Sequence, residues 1–224
     1  MKILGIDTTT SRLCLGLYID GKFYEYSLQV GRNLSALLVP TIQRVISALG
    51  LKITDMDYFA CGLGPGSFTG MRIGLATIKG LAVVENKPVL GISTLDILAK
   101  NAPLNNHLIV TAVDAKRELI YCSSYKYQQG SLKRKSAYAL LSLDEFVKKF
   151  PSQVVVLGDA VALYKDALLV QIKHSSVLDK DYWYPQAHNL ISLALEKIKA
   201  KQFSSVLTIK PIYLYPKECQ IKTR

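Results

Sequence analysis

The alternation of hydrophobic and polar positions predicts a hairpin of strands at the start of the chain, followed by a helix. The apolar run Ile3–Ile6 is typical of a buried strand, and Leu13–Ile19 alternates as a second strand does. Asp20-Gly21 favours a tight turn into a third strand, Lys22–Leu28. Apolar residues then recur at helical spacing over Ser35–Leu49. The chain therefore begins as an α/β unit led by a β-hairpin.

Strands and helices continue to alternate after the first helix, which is the pattern of an α/β protein. The next predicted elements are a strand at Asp57–Leu63, a helix at Met71–Glu85, a strand at Lys87–Gly91, and a helix at Leu95–Lys100 after capping-box spacing at Ser93–Asp96. The polar stretch Asn101–Asn106 contains a proline and marks a domain boundary. We therefore expect an N-terminal lobe at residues 1–103 and a C-terminal lobe at residues 104–224.

The second half of the chain begins with an echo of the first. Leu108–Val113 is an apolar run ending at Asp114, and a strand over Leu119–Tyr127 follows a polar turn. Ile6-Asp7 aligns with Val113-Asp114 at an offset of 107 residues. Such a long-period repeat indicates duplication of an α/β unit. The remaining predicted elements are a helix after the capping box Ser142–Glu145, a strand at Val154–Leu157, a helix at Gln186–Lys201 and an extended tail, Ile209–Tyr215, that packs back on the body.

Composition excludes several classes of protein. Half of the 224 residues are apolar and 20% are charged, which suits a protein with a sizeable core. No apolar run approaches the roughly 18–20 residues of a membrane span, and the early Asp7 argues against a secretory signal, so we expect a cytoplasmic protein. The four cysteines lie far apart and the three histidines have no zinc spacing. Buried free thiols in a reducing compartment are therefore expected.

The chain is basic, and most of the excess charge lies in its second half. The 28 Lys and Arg against 17 Asp and Glu give a net charge of +11. Residues 1–100 carry 10 basic and 7 acidic side chains, whereas residues 101–224 carry 18 and 10. This distribution can attract a polyanion such as RNA, and an ordinary solvated lysine surface has the same composition.

Three stretches have the residue types of an anion site. Asp7-Thr8-Thr9-Thr10 ends a strand with a carboxylate and hydroxyls, which can hold a phosphate, order water around magnesium, or satisfy local backbone donors. The loop Gly62–Gly74 enters a helix, where anions bind, but it lacks P-loop and nucleophile-elbow spacing. Its Gly70 and Gly74 lie four residues apart, so the glycines equally favour close packing of another helix, internal or from another subunit. The charged turn after Asp114 is the third candidate.

These stretches together resemble the TsaB (YeaZ) family. The family's hallmark loop is matched by Gly64, Pro65, Gly66, Ser67, Phe68, Thr69, Gly70, Met71, Arg72, Ile73 and Gly74. The opening Ile3–Thr9 is similar to the family's start, and Asp114–Tyr121 is similar to its D-A-R-R-x-x-x-Y segment. Weaker similarity occurs at Arg32–Leu38, Gly91–Leu95, Tyr184–Ala187 and Pro211–Leu214, so the resemblance spans nearly the whole chain.

The resemblance implies both a fold and a function. The fold would be the actin-like (ASKHA, Hsp70/sugar-kinase) type, an α/β architecture of two duplicated lobes. The function would be formation of threonylcarbamoyladenosine next to the anticodon of tRNAs that read codons starting with A. This chain would be a non-catalytic partner and activator subunit that binds no metal or cofactor itself. Its paralogue TsaD would hold the metal, the nucleotide and the transferase site. The ATPase TsaE would join them, and tRNA would bind only through the complex.

The same resemblance implies where the subunits meet. The family uses two helices of the first lobe, and on them we expect a partner face formed by Ser35, Leu38, Ile42, Gly70, Ile73, Gly74 and Thr77. Whether the chain also forms a homodimer when its partner is absent is left open by the sequence. Leu34 stands where the family commonly has histidine, which makes the packing face more apolar. Tyr215 stands where an arginine usually follows Tyr-Leu, which alters the tail.

A rival of another class is a small-molecule kinase or ATPase of the same fold. Its magnesium-nucleotide site would use Asp7 and Asp114 as the carboxylates facing phosphate, with Thr8 and Thr9 beside the first of them. Binding of Mg-ATP with turnover by the isolated chain separates this alternative from the partner subunit.

Overall fold

The computed structural model describes residues 1–216, apart from the side chain of Arg32. The strands are β1 (Lys2–Asp7), β2 (Arg12–Ile19), β3 (Lys22–Gln29), β4 (Tyr58–Gly62), β5 (Val89–Ile92), β6 (Leu108–Lys116), β7 (Leu119–Gln128), β8 (Ser131–Arg134), β9 (Ala139–Ser142), β10 (Val154–Leu157) and β11 (Ser176–Val177). The helices are α1 (Leu34–Ala48), α2 (Phe68–Val84), α3 (Thr94–Ala99), α4 (Leu143–Lys149), α5 (Val161–Gln171) and α6 (Ala187–Lys199). Every predicted strand and helix is confirmed, whereas β8, β9, β11 and α5 were not predicted.

The first sheet has the strand order β3-β2-β1-β4-β5. β1, β2 and β3 pair antiparallel, and β1 continues into parallel pairing with β4 and then β5. The predicted turn between β2 and β3 is confirmed, with positive φ at Asp20 and Gly21. An antiparallel hairpin beside parallel strands leaves the carboxyl ends of β1 and β4 next to each other. Those ends carry Asp7 and the start of the glycine-rich loop.

The second sheet repeats this arrangement, with the order β11-β10-β6-β7-β8. β6 pairs antiparallel with β7 and parallel with β10, as β1 does with β2 and β4. Two short strands, β8 and β9, pair with successive parts of β7 and together occupy the place that β3 occupies in the first sheet. The shared order confirms the predicted duplication and the actin-like fold of two α/β lobes.

Helix α6 packs on the first sheet although it lies late in the sequence. Gly5 and Gly16 are cross-strand neighbours on β1 and β2. A Cβ at Gly5 would lie 3.0 Å from Ile191 Cδ1, and one at Gly16 would lie 2.9 Å from Ile191 Cγ1. The paired glycines therefore leave the room in which α6 lies. Because of this return, residues 184–211 form one compact unit with residues 1–97, and the second unit comprises residues 98–183 and 212–216. The predicted division into 1–103 and 104–224 is corrected accordingly.

Each unit has its own hydrophobic core. In the first, alternate residues of β1 serve opposite faces of the sheet, since Leu4 and Ile6 pack with α1 and α2 while Ile3 packs with α6. In the second, α4 and α5 cover one face of the sheet, where the rings of Phe146 and Phe150 meet edge to face.

Three of the cysteines are free thiols inside these cores, Cys14, Cys61 and Cys122, and burial raises the pKa of each. Their prediction as buried thiols is confirmed, whereas Cys219 lies outside the described residues. In the part of the chain that the structure covers, no helix has the length and apolar character needed to span a bilayer.

Candidate functional site

The glycine-rich loop between β4 and α2 lies directly against the turn that follows β1. Ser67 N–H donates a hydrogen bond to Thr9 O at 2.7 Å, and Thr8 Oγ1 donates to Gly70 O at 2.8 Å. Ser67 also caps α2, because its Oγ accepts from Gly70 N–H at 3.2 Å. This cap explains why α2 begins at Phe68, three residues before the predicted start. The two segments that the sequence singled out separately form one site in the first unit.

The glycines of this loop make room for the turn after β1. A Cβ at Gly62 would overlap the Asp7 carboxylate, and one at Gly66 would overlap Thr9 O. Gly70 and Gly74 face Thr8 in the same way, at its backbone oxygen and its hydroxyl respectively. The row of small residues on α2 therefore has a partner inside its own unit. Gly70 and Gly74 are buried there, and their assignment to a subunit interface is corrected.

Asp7 is the centre of a buried hydrogen-bond network. Its Oδ1 accepts from Thr9 N–H at 2.8 Å and from Thr9 Oγ1 at 2.7 Å, and its Oδ2 accepts from Thr94 Oγ1 at 2.7 Å. Burial raises the pKa of Asp7, and these hydrogen bonds oppose the rise. Thr94 Oγ1 also accepts from Gly64 N–H at 3.1 Å, so it joins the loop to the carboxylate.

The network leaves no surface for a phosphate on these side chains. Asp7, Thr8 and Thr9 are all buried, and each has its hydrogen-bonding partners inside the unit. Their prediction as phosphate contacts is corrected, since satisfying local donors is the role that the structure shows. Thr94 is the residue that sequence reasoning missed. The sequence assigned a capping role to its neighbour Ser93, whose Oγ accepts from Leu95 N–H at 3.2 Å and also donates to Gly64 O at 3.2 Å.

The other predicted interface residues fall into two groups. Leu38 and Ile42 are buried in the core of the first unit, as is Leu34, so these three do not contribute to an outer face. Leu34, which stands where the family commonly has histidine, thus packs in the core of the first unit. Ser35 is exposed, and Ile73 and Thr77 are half-buried on α2; their place in an interface stays a prediction. The exposed members of the hallmark loop are Ser67, Phe68, Thr69 and Arg72, and Pro65 is buried.

Helix α2 presents a different row of residues to solvent, and apart from Arg72 they are small or apolar. Arg72, Ala76, Gly80 and Val83 recur at helical spacing and are all exposed, and we call them the outer face of α2. Val83 is 60% exposed and its neighbour Val84 is 80% exposed. A Cβ at Gly80 would meet nothing within 4 Å. On helix α1, Val39 is 56% exposed.

In the second unit, Asp114 stands at the turn between β6 and β7. Its Oδ1 accepts from Lys116 N–H at 2.8 Å, and its other oxygen forms an ion pair with Lys116 Nζ. Lys116, Arg117 and Glu118 all have positive φ, and Tyr215 Oη donates to Ala115 O at 2.9 Å and Lys116 O at 3.2 Å. In place of the family's arginine, Tyr215 thus braces this strained turn. Asp114 is engaged within the turn, and its contact with a phosphate stays a prediction.

A second carboxylate lies beside Asp114. Asp159 Oδ1 accepts from Asp114 N–H at 2.9 Å. Burial raises the pKa of Asp159 to about 6, and the Asp114 charge adds to that rise. Among residues 1–216, no three His, Cys, Asp or Glu side chains are gathered as metal ligands would be.

Comparisons with known proteins show what this chain is similar to. The family model described as "TsaD: tRNA N6-adenosine threonylcarbamoyltransferase" matches residues 28–206. The tRNA threonylcarbamoyladenosine biosynthesis protein TsaB of Escherichia coli K12 is 27% identical over 220 residues, covering 96% of this chain and 94% of that protein. A crystal structure of a Pseudomonas aeruginosa protein, described as similar to the peptidase YeaZ, is 25% identical with a TM-score of 0.79, covering 96% of this chain and 99% of that one.

A Bacillus subtilis relative completes the comparison. It carries the same TsaB name and is 30% identical over 172 residues, which are 75% of this chain and 75% of the relative. Identity at this level over three quarters of both chains, together with the matching family model, shows that the chain belongs to the TsaB (YeaZ) family of tRNA threonylcarbamoyladenosine biosynthesis proteins.

Proposed function

We propose that this chain is the non-catalytic partner subunit of the complex that transfers a threonylcarbamoyl group to the adenosine next to the anticodon, in tRNAs that read codons starting with A. Family membership supplies the pathway. The observation that carries the non-catalytic role is the burial of Asp7, whose two carboxylate oxygens accept hydrogen bonds from Thr9 and Thr94. A kinase or ATPase of this fold needs that carboxylate open toward a magnesium nucleotide, and here glycine packing and hydroxyls enclose it.

The catalytic paralogue TsaD is the proposed main partner, and the outer face of α2 with Val39 of α1 is its proposed contact surface. Val83 and Val84 of α2 are exposed valines near Gly80, and we call these three residues the apolar strip on α2. Because Gly80 has no side chain, a helix from another chain can approach the strip closely. This chain itself matches a TsaD family model, so the partner shares its fold and offers the equivalent helices. Helix would then pack against helix across the subunit boundary.

The remaining components follow from the same proposal. ATP and a metal ion would be held by the partner subunits, and the ATPase TsaE would join the complex in the cytoplasm. tRNA would be bound by the assembled complex. Without TsaD, the same apolar strip would pair two copies of this chain as a homodimer.

Heterodimer formation with TsaD tests the proposed surface. We expect the double variant Ala76→Glu/Val83→Glu to abolish the complex on gel filtration, because both exposed positions would bring a carboxylate into an apolar contact. Leu163→Glu is the matched control, since Leu163 is a 61% exposed apolar residue on α5 of the second unit and should leave the complex intact. Both variants should unfold at the wild-type temperature. A double variant that still elutes with TsaD would refute the surface.

A further inference from the structure

A cluster of lysines lies on one face of the second sheet, at its β8 edge. Lys126 on β7 is the direct cross-strand neighbour of Lys133 on β8. Lys135 N–H donates to Ser124 O at 2.7 Å, which extends the same register by two residues beyond Lys133. Because side chains alternate between the faces of a sheet, Lys126, Lys133 and Lys135 lie on the same face. We call these three residues the lysine face.

The positive charge of the lysine face is not balanced locally. No acidic residue occurs between Leu119 and Leu143, a segment that also contains Arg134. All three lysines are exposed, and within residues 1–216 none of them has an ion-pair partner. Like charges placed directly opposite each other destabilise a sheet, as Lys126 and Lys133 do here. An anion bound at this edge would remove that repulsion.

The arrangement suits an extended polyanion better than a single small anion. Lys133 and Lys135 are separated by two residues of extended chain, about 7 Å, and Lys126 lies beside them on the next strand. The three lysine side chains are exposed, and the nearest buried hydroxyl on the same face, that of Ser124, is hydrogen-bonded to Ser136 Oγ at 3.0 Å. Such a row of point charges follows a sugar–phosphate backbone and reads no base sequence.

We infer that the lysine face contacts the phosphate backbone of the tRNA while this chain is part of the TsaD complex. This inference rests on the proposed function, which supplies the RNA. The second half of the chain holds 18 basic and 10 acidic residues, and the lysine face brings three of those basic residues together on one side of a sheet. The apolar strip on α2, which is the proposed contact surface for TsaD, belongs to the first unit. The lysine face and the proposed TsaD surface therefore use different residues.

The test compares two triple variants in the reconstituted complex with TsaD. The first is Lys126→Gln/Lys133→Gln/Lys135→Gln. The control, Lys165→Gln/Lys173→Gln/Lys180→Gln, removes the same charge from exposed lysines elsewhere in the second unit. Binding of fluorescently labelled tRNA is measured by anisotropy between 50 and 200 mM salt. We expect the first variant to bind tRNA about tenfold more weakly than the wild type at 0.1 M salt. The slope of log binding constant against log salt concentration should become shallower by about 2 to 3 for this variant, whereas the control should keep the wild-type slope.

Each outcome separates this contact from the proposed function. Threonylcarbamoyl transfer by the wild-type complex reports on the function, and its absence would overturn both. With transfer intact, a lysine-face variant that keeps the wild-type affinity and salt slope would overturn the contact alone. An equal loss in both triple variants would also overturn it, since the effect would then be one of net charge. If the first variant only aggregates and its soluble fraction binds tRNA normally, the lysines protect a sheet edge and the inference is wrong.

Discussion

At the scale of single residues, two glycines on the same helix have opposite roles. Gly70 and Gly80 both lie in α2, but a Cβ at Gly70 would overlap Thr8 O whereas one at Gly80 would meet only open space. The spacing of glycines along a helix cannot distinguish these cases. It shows which positions lack a side chain, but it does not show which part of the chain packs against them. The residue that decides the role of Gly70 is Thr8 in the turn after β1, which lies more than sixty residues before Gly70 in the sequence.

Alanine substitution should therefore separate the two glycines. We expect Gly70→Ala to lower the free energy of unfolding by about 1–3 kcal/mol, since the backbone of Thr8 must move to admit a methyl group. Gly80→Ala is the control and should raise the free energy of unfolding by about 0.5–1 kcal/mol, because alanine favours an exposed helix. Urea denaturation measures both. Equal tolerance of the two changes would show that the loop does not pack as described.

Asp159 makes the stability of the fold depend on pH. Its folded pKa of about 6 lies above the ordinary value of 3.8, so the native state holds a proton that the unfolded state releases. This contribution is present below pH 4 and is lost as the pH rises through 6. In the wild type, this group should lower the free energy of unfolding by up to about 3 kcal/mol as the pH rises from 4 to 6. Asp159→Asn should abolish that decrease, because asparagine does not titrate while its side-chain oxygen can still accept from Asp114 N–H.

The measurement for Asp159 is the free energy of unfolding as a function of pH for both proteins. Asp166→Asn, a change of an exposed carboxylate on α5, should leave the wild-type profile unaltered. If the free energy of unfolding changes with pH in the same way in Asp159→Asn and in the wild type, the buried Asp159 carboxyl group is not the cause of the pH dependence.

At the scale of elements, the parts of the fold that depend on local pattern were predictable. The β2–β3 turn at Asp20-Gly21 and the capping box at Ser142 are local signals, and both are confirmed. Helix α6 was predicted as a helix but assigned to the wrong lobe. Its position depends on the cross-strand pair Gly5 and Gly16, and that pairing becomes visible only when β1 and β2 are placed side by side.

The candidate site was predictable only in part for a related reason. The glycine-rich loop and the Asp7–Thr9 turn were each identified, but the sequence does not show that they bind each other. That contact converts Asp7 from a candidate ligand of phosphate into a buried acceptor, and Thr94 completes it from a third segment. Likewise, the helical spacing of Leu38 and Ile42 identified an apolar face correctly without showing that the chain's own core covers it.

At the scale of the whole molecule, the two units keep the same strand order but differ in composition. The first holds the enclosed Asp7 network and the apolar strip on α2. The second holds the lysine face and the turn at Asp114, braced by Tyr215. A duplicated fold with an enclosed carboxylate in its first unit is consistent with a subunit that supports a catalytic relative.

Reconstitution of threonylcarbamoyl transfer measures this central claim most directly. Purified TsaD, TsaE, a threonylcarbamoyl donor and a tRNA reading a codon that starts with A are combined with or without this chain, and modified adenosine is quantified. We predict transfer only when the chain is present, with no transfer and no ATP turnover by the chain alone. Transfer at the same rate in its absence, or micromolar Mg-ATP binding with turnover by the isolated chain, would contradict the account.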